Sequence, residues 1–116
     1  MIKITFLKRD GVYYGFREVG HAGYDESGND IVCAAVSAMT MLVVNAIEVS
    51  YASDVIYNID DSTADVEVLA LGALPENGED ENKQYAIAGL LQSYYLQLVD
   101  MTEDYYEYLD VEEIER

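Results

Sequence analysis

The sequence is poor in the residues that build disulfides, metal centres and phosphate sites. Its 116 residues include one cysteine, one histidine, one proline and no tryptophan. A lone cysteine excludes an internal disulfide and suits a reducing compartment. Zinc needs three or four sulfur, nitrogen or carboxylate ligands, and neither Gly-Lys-Ser nor Gly-x-Gly-x-x-Gly occurs. We therefore expect no metal and no cofactor.

Basic residues are also scarce. The chain has 23 acidic and 6 basic residues, so its formal net charge is -17. Such a surface repels phosphate backbones, which argues against direct nucleic-acid binding. The same charge attracts a basic peptide or protein, and this attraction weakens as salt rises. Solubility alone would also explain an acidic surface.

We expect neither a secretion signal nor a membrane span in this sequence. Residues 1–5 lack the basic start and apolar core of a signal peptide. The longest apolar stretch, residues 31–47, is interrupted by Ser37, Thr40 and Asn45. It is also shorter than the roughly 20 residues that a bilayer requires. We therefore expect a core helix in a cytoplasmic protein with no membrane contact.

The first two thirds of the chain predict a clear order of secondary-structure elements. Apolar residues alternate on both sides of Asp10-Gly11, which predicts a hairpin with strands near residues 2–7 and 12–17. A glycine-bearing loop follows, and then an apolar helix from about Asp30 to Ser50. Residues 55–59 and 64–71 are predicted strands joined by a turn over residues 60–63. Pro75-Glu76-Asn77-Gly78 then breaks the chain.

A second helix is predicted over residues 81–101. Apolar and aromatic side chains recur there every three or four positions and form one stripe: Ile87, Leu90, Leu91, Tyr94, Tyr95 and Leu98. The acidic tail, about residues 103–116, alternates weakly from Tyr105 to Val111. We expect it to be partly frayed, with a possible edge strand. The whole predicts one α+β domain over residues 1–116, in the order ββαββα(β). Its mostly antiparallel sheet is covered by two helices.

The single cysteine and the single histidine lie twelve positions apart, at Cys33 and His21. A thiolate nucleophile and an imidazole base are the minimum set of catalytic groups for cysteine-dependent acyl transfer. If Asp30 caps the helix, Cys33 lies in the first turn, where free amides and the helix dipole lower a thiol pKa. The Asp30 carboxylate opposes this effect, and an imidazolium at His21 would offset it. Which effect dominates stays open.

Helical geometry places Cys33 on a polar stripe. Cys33, Ser37 and Thr40 share one face, with Glu48 on its continuation. The other faces are predicted to enter the core: Ile31, Ala35, Met39, Leu42, Val43 and Ile47. Ser37 is therefore placed to hydrogen-bond a thiolate or an oxyanion. A buried structural cysteine and a surface histidine remain the alternative.

The segment as a whole, Gly20-His21-Ala22, Gly28 and residues 30–38, resembles the signature of the ribosomal-processing cysteine protease family, Prp. The resemblance implies removal of the N-terminal extension of a large-subunit ribosomal protein, number twenty-seven of that subunit. It implies Cys33 as nucleophile, His21 as general base and acid, and supporting roles for Asp30 and Ser37. It also implies a small cytoplasmic homodimer with a mobile loop, here residues 22–29.

A second function from a different class stays open. An acidic, non-catalytic protein-interaction module would bind a basic partner and would use Cys33 only for packing. Cleavage that depends on Cys33 would separate the two hypotheses.

Overall fold

A computed structural model of the protein describes the backbone of residues 1–20 and 27–116, and the side chains of residues 1–20 and 30–116. Over these ranges the chain forms β1 (Ile2–Arg9), β2 (Val12–Val19), α1 (Ser27–Asn45), β3 (Ile56–Ile59), β4 (Val66–Leu69), α2 (Glu81–Tyr105) and β5 (Leu109–Glu115). A π-helical turn, Ala46–Ser50, extends α1, and 3₁₀ turns at Leu71–Ala73 and Pro75–Asn77 precede α2. The predicted ββαββα(β) order and the α+β class are confirmed.

The first two strands form the predicted hairpin. Asp10 and Gly11 both have positive φ, 52° and 78°, which suits a two-residue turn between twisted strands. The register then shifts, since Leu7 pairs with Gly15 and Lys8 pairs with Tyr13. Tyr14 is the extra residue of this bulge. Tyr13 and Tyr14 are therefore both buried, which simple alternation does not predict.

Five strands of the described chain make one mixed sheet in the order β3-β4-β2-β1-β5. Three pairings are antiparallel, and β5 joins β1 in parallel, with Ile2 opposite Leu109. The possible edge strand in the tail is therefore confirmed, over Leu109–Glu115, and the expectation that the tail is partly frayed is wrong for these residues. Leu109 is buried, and Val111 and Ile114 pack against the core, so this segment has enough apolar contact to stay in the sheet.

Both helices cover the same face of the sheet. Tyr94 of α2 packs edge-on against Phe6 and Phe16, with ring centroids 5.6 and 5.2 Å apart. As predicted, one stripe of α2 is buried, at Ile87, Leu91, Tyr94 and Leu98. The opposite face of the sheet is polar: Arg17 Nε lies 2.8 Å from a carboxylate oxygen of Glu67.

The face that α1 presents to the core differs from the prediction. Val43 and Ile47 are buried as expected, but Ile31 is exposed and Leu42 is 65% exposed. The residues that are buried are Val32, Val36, Thr40, Val43, Val44 and Ile47. Apolar residues surround this helix on all sides, so their spacing does not determine which side faces the sheet.

By length and composition, one helical segment of the described chain, Asp30–Ser50, is apolar enough to cross a membrane, with a mean hydropathy of 1.9. The core helix of a soluble protein passes the same test. Here 33% of that window is buried, and the segment supplies five aliphatic side chains to the core beneath it.

Candidate active site

The candidate nucleophile Cys33 lies on α1, but not in its first turn. The helix begins at Ser27, so Asp30 is an exposed first-turn residue and the prediction that it caps the helix is wrong. Ser27, Asn29 and Asp30 are all residue types that favour capping positions, and composition does not choose among them. The helix therefore includes residues 27–29 of the predicted loop, while residues 22–26 lie outside the described chain.

The surroundings of Cys33 raise the pKa of its thiol. Partial burial is the largest cause, and the Asp30 carboxylate adds to it, while the N-terminal ammonium of Met1 opposes both. Free amides in the first helical turn were expected to lower the pKa of the thiol, but burial and Asp30 have the larger effect. Positive charge near the sulfur would favour the thiolate. The predicted source is His21, which lies outside the described residues.

The polar stripe predicted on α1 is only partly present. Ser37 is exposed and lies one turn after Cys33, as expected. Thr40, which was assigned to the same stripe, is only 3% exposed. Its hydroxyl donates a hydrogen bond to Oε1 of Glu18 on β2. Thr40 therefore belongs to the interface between helix and sheet rather than to the exposed surface around Cys33.

Glu18 is the centre of a buried polar network that joins β2, α1 and α2. Its residue exposure is 1%. The Tyr94 hydroxyl lies 2.9 Å from the Thr40 Oγ1 and 3.3 Å from the Glu18 Oε1. It also lies 3.3 Å from the backbone oxygen of Val36. Burial and the Glu18 carboxylate raise the pKa of Tyr94 well above its usual range, so the phenol remains a hydrogen-bond donor.

A pocket of about 250 Å³ opens beside this network, between α1 and the β3–β4 hairpin. It is lined by Glu18, Ser37, Thr40, Met41, Tyr57, Ile59, Ala64 and Val66. Ser37 links the pocket to the helix turn that carries Cys33.

The sequence analysis did not select Glu18 as a site residue. A signal was present, because Glu18 lies two positions after Phe16 and therefore on the same, core-facing side of β2. Among the described residues, no three histidine, cysteine or acidic side chains converge as a metal site. The expectation of no metal and no cofactor therefore stays a prediction.

Comparison with known proteins identifies the class of enzyme. The sequence profile described as "Cysteine protease Prp" matches residues 1–110, nearly the whole chain. That match makes the protein a cysteine protease. The chain belongs to the Prp family, as the resemblance of its His21–Cys33 segment predicted. No curated protein matches it significantly.

Solved structures share the fold over almost the full length. SMU.848 from Streptococcus mutans is 30% identical, with a TM-score of 0.82, over 100% of this chain and 96% of that one. The ribosomal processing protease Prp from S. aureus, in complex with a substrate peptide, is 23% identical, with a TM-score of 0.79, over 98% of this chain and 100% of that one. The same enzyme with a covalently linked product peptide gives 23% identity over the same shares, with a TM-score of 0.75. These likenesses confirm the α+β fold.

Proposed function

We propose that this protein is the cytoplasmic endopeptidase that removes the N-terminal extension of large-subunit ribosomal protein number twenty-seven during ribosome assembly. The observation that carries the proposal is the family match, which spans residues 1–110 and includes both His21 and Cys33. The S. aureus protease has been seen with a substrate peptide and with a covalently linked product peptide. Those complexes support an extended peptide as the class of substrate here.

In the proposed mechanism the Cys33 thiolate attacks the scissile carbonyl carbon, and His21 gives its proton to the leaving amine. The C–N bond breaks and an acyl thioester remains on Cys33. His21 then takes a proton from water, whose oxygen attacks the thioester and releases the new carboxylate. Ser37 donates a hydrogen bond to the thiolate or the oxyanion, and Asp30 holds the imidazolium of His21.

The raised pKa of the Cys33 thiol supports a role for His21 in forming the thiolate. Partial burial and Asp30 both disfavour the thiolate. An imidazolium beside the sulfur favours it, and also neutralises the Asp30 carboxylate. We therefore propose that the ion pair of Cys33 and His21 forms the reactive state.

The decisive experiment is cleavage of the N-terminally extended ribosomal protein, followed by mass spectrometry of the products. Wild type should release the extension, while Cys33→Ala and His21→Ala should not. Ala86→Ser, at a half-buried position on α2, controls for an unrelated change in a helix and should cleave normally. If freshly reduced wild type binds the ribosomal protein without cutting it, the acidic interaction module replaces the protease as the function.

We also propose that the protein is a homodimer that associates through its helix layer. In a chain with net charge -17, two copies repel each other wherever charges meet. Residues 31–47 and 84–99 carry no charge. Their outer surfaces meet in an apolar groove of about 180 Å³, lined by Met39, Leu42, Val43, Leu90, Ser93, Tyr94 and Gln97.

Sedimentation equilibrium tests this arrangement. Leu42→Glu introduces a charge into the groove and should convert the dimer to a monomer. Ile56→Glu introduces the same charge on β3, outside the groove, and should leave the dimer intact. A dimer that survives Leu42→Glu would place the interface elsewhere, and a monomeric wild type would overturn the dimer.

A further inference from the structure

We infer that the substrate peptide docks as an added strand on the outer edge of β3, where main-chain hydrogen bonds hold it beside the candidate site. The inference rests on the proposed peptide substrate and specifies how that peptide is held. It follows from the composition of the sheet edges, from the direction of the backbone groups of β3 and from the charges at the ends of that strand.

The two edges of the sheet in the described chain differ in charge. The β5 edge carries four acidic residues among its seven, and charged side chains discourage an edge from pairing with another strand. The β3 edge, Ile56–Ile59, carries no charge, and all four of its residues are exposed. Three of them are large and apolar or aromatic: Ile56, Tyr57 and Ile59. The β3 edge is therefore the one that suits a partner strand.

The backbone of β3 directs hydrogen-bonding groups to this edge at Tyr57 and Ile59. The amide of Asp60 donates to the carbonyl oxygen of Asp65 at 2.8 Å, which makes these two residues a hydrogen-bonded pair of the antiparallel ladder with β4. Hydrogen-bonded pairs alternate with non-hydrogen-bonded pairs along such a ladder. Asn58 therefore bonds to β4, whereas the N–H and C=O groups of Tyr57 and Ile59 point away from β4. An added strand meets two donors and two acceptors there.

Acidic residues at both ends of β3 favour a substrate peptide over a second copy of this chain as the occupant. Asp54 precedes the strand, and Asp60 and Asp61 follow it. If two copies paired antiparallel through β3, Asp54 of one strand would approach Asp60 and Asp61 of the other, and these like charges repel. A ribosomal protein binds the phosphate backbone of RNA through lysine and arginine, so its segments are attracted to the same carboxylates.

The β3 edge also lies close to the helix that carries the candidate nucleophile. Tyr57 and Ile59 line the same pocket as Ser37 of α1. Ser37 follows Cys33 by one helical turn, which is a rise of about 5.4 Å. An extended peptide advances about 3.3 Å per residue, so about two residues cover that rise. A peptide on the β3 edge therefore continues naturally toward the start of α1.

Backbone methylation of the peptide tests for an added strand without changing the protein. Labelled peptides that span the extension junction would carry one N-methyl group, at each amide in turn, and binding to Cys33→Ala protein is measured by fluorescence anisotropy. Only alternate amides of an edge strand donate to the sheet. Methylation at two amides that are two positions apart should weaken binding about three- to tenfold each, the effect of one lost hydrogen bond. Methylation of the amide between them should have little effect.

Disulfide trapping identifies the edge that holds the peptide. In Cys33→Ala protein, Asn58→Cys places a thiol at an exposed position of β3, and Asp110→Cys places one at an exposed position of β5. Peptides with one cysteine at each position in turn are then oxidised with each variant. Side chains that lie opposite each other on neighbouring strands are close enough to cross-link. Asn58→Cys should trap the peptide within the segment that contains the methylation-sensitive amides, and Asp110→Cys should not trap it.

The outcomes separate the inference from the proposed function. Methylation effects without alternation, or equal trapping by both cysteine variants, would show that the peptide does not extend β3. Rapid formation of a disulfide-linked dimer by Asn58→Cys without peptide would assign the edge to a second copy instead. Any of these results together with cleavage of the unmodified peptide by wild type overturns the docking mode alone. Alternation and trapping at β3 without cleavage by reduced wild type overturn the protease function alone.

Discussion

The buried hydroxyl of Thr40 gives the sharpest test of the network beneath the candidate site. Thr40→Val keeps the β-branched shape and replaces Oγ1 with a methyl group. The hydroxyl donates to the Glu18 carboxylate in a place where both residues are nearly inaccessible to water. After the change, the carboxylate has lost a donor that water does not readily replace.

The magnitude follows from two opposing effects. Loss of a hydrogen bond to a charged group costs about 1.5–3 kcal/mol of unfolding free energy. The new buried methyl group returns roughly 0.8 kcal/mol. We therefore expect Thr40→Val to destabilise the protein by about 1–2 kcal/mol, measured by urea unfolding at neutral pH.

Thr102→Val is the matched control. Thr102 is partly buried on α2, and its hydroxyl bonds to the backbone oxygen of Val99 in its own helix, at 2.6 Å. No carboxylate depends on it, so this variant should change stability by less than about 0.5 kcal/mol. A double-mutant cycle of Thr40→Val with Tyr94→Phe should show coupling of at least roughly 0.5 kcal/mol. Equal effects of the two threonine variants, or no coupling, would refute the network.

Three further predictions concern the thiol of Cys33, the backbone at Gly20 and the carboxylate of Glu113. In His21→Ala protein, where no imidazolium pairs with Asp30, Asp30→Asn removes a carboxylate that disfavours the thiolate, so the pKa of Cys33 should fall and its alkylation at neutral pH should be faster. Gly20→Ala should cost more in thermal unfolding than Gly78→Ala. Both glycines have positive φ, 93° and 77°, but only at Gly20 would a Cβ lie 2.2 Å from a backbone oxygen. Glu113→Gln should reduce the decrease in the free energy of unfolding as the pH falls. The hydrogen bond from Tyr13 lowers the pKa of Glu113 below its usual value near 4.5, so its contribution is complete above that value and is lost as pH falls through the lower folded pKa.

Each of these predictions has its own control and its own contrary result. Asp54→Asn removes an exposed carboxylate elsewhere and should not change the alkylation of Cys33. Unchanged or slower alkylation when Asp30→Asn is added to His21→Ala would contradict the electrostatic account. Equal costs for the two glycine variants would exclude the close approach at Gly20. Glu107→Gln, at an exposed position, should leave the decrease of stability in acid unchanged. The same decrease in Glu113→Gln as in wild type would contradict the contribution of the Glu113 carboxylate.

Local chemistry predicted the elements that depend on few residues. The turn at Asp10-Gly11 needs two residues that tolerate positive φ, and the sequence supplies them side by side. The apolar stripe of α2 stands between polar positions, so its buried side is visible in the spacing.

Features set by long-range packing were not predictable in the same way. The face of α1 depends on which side the sheet covers, and the helix is apolar around its whole circumference, so Leu42 was placed inside and Thr40 outside. The parallel partner of β1 lies at the other end of the chain, where alternation is weak. Glu18 was missed because a carboxylate in a strand is usually exposed to solvent. Glu18 lies two positions after Phe16, however, which places it on the core-facing side of the strand.

The parallel pairing of β1 with β5 has a consequence for biosynthesis. Thr5 and Glu112, which share a hydrogen bond of 3.0 Å, are 107 positions apart. On the translating ribosome, the first strand emerges long before its outer neighbour exists, and one edge of β1 remains open throughout. Sequence separations of this size also slow folding. A nascent chain that stops before residue 109 should therefore tend to pair with other strands, until β5 covers this edge of β1.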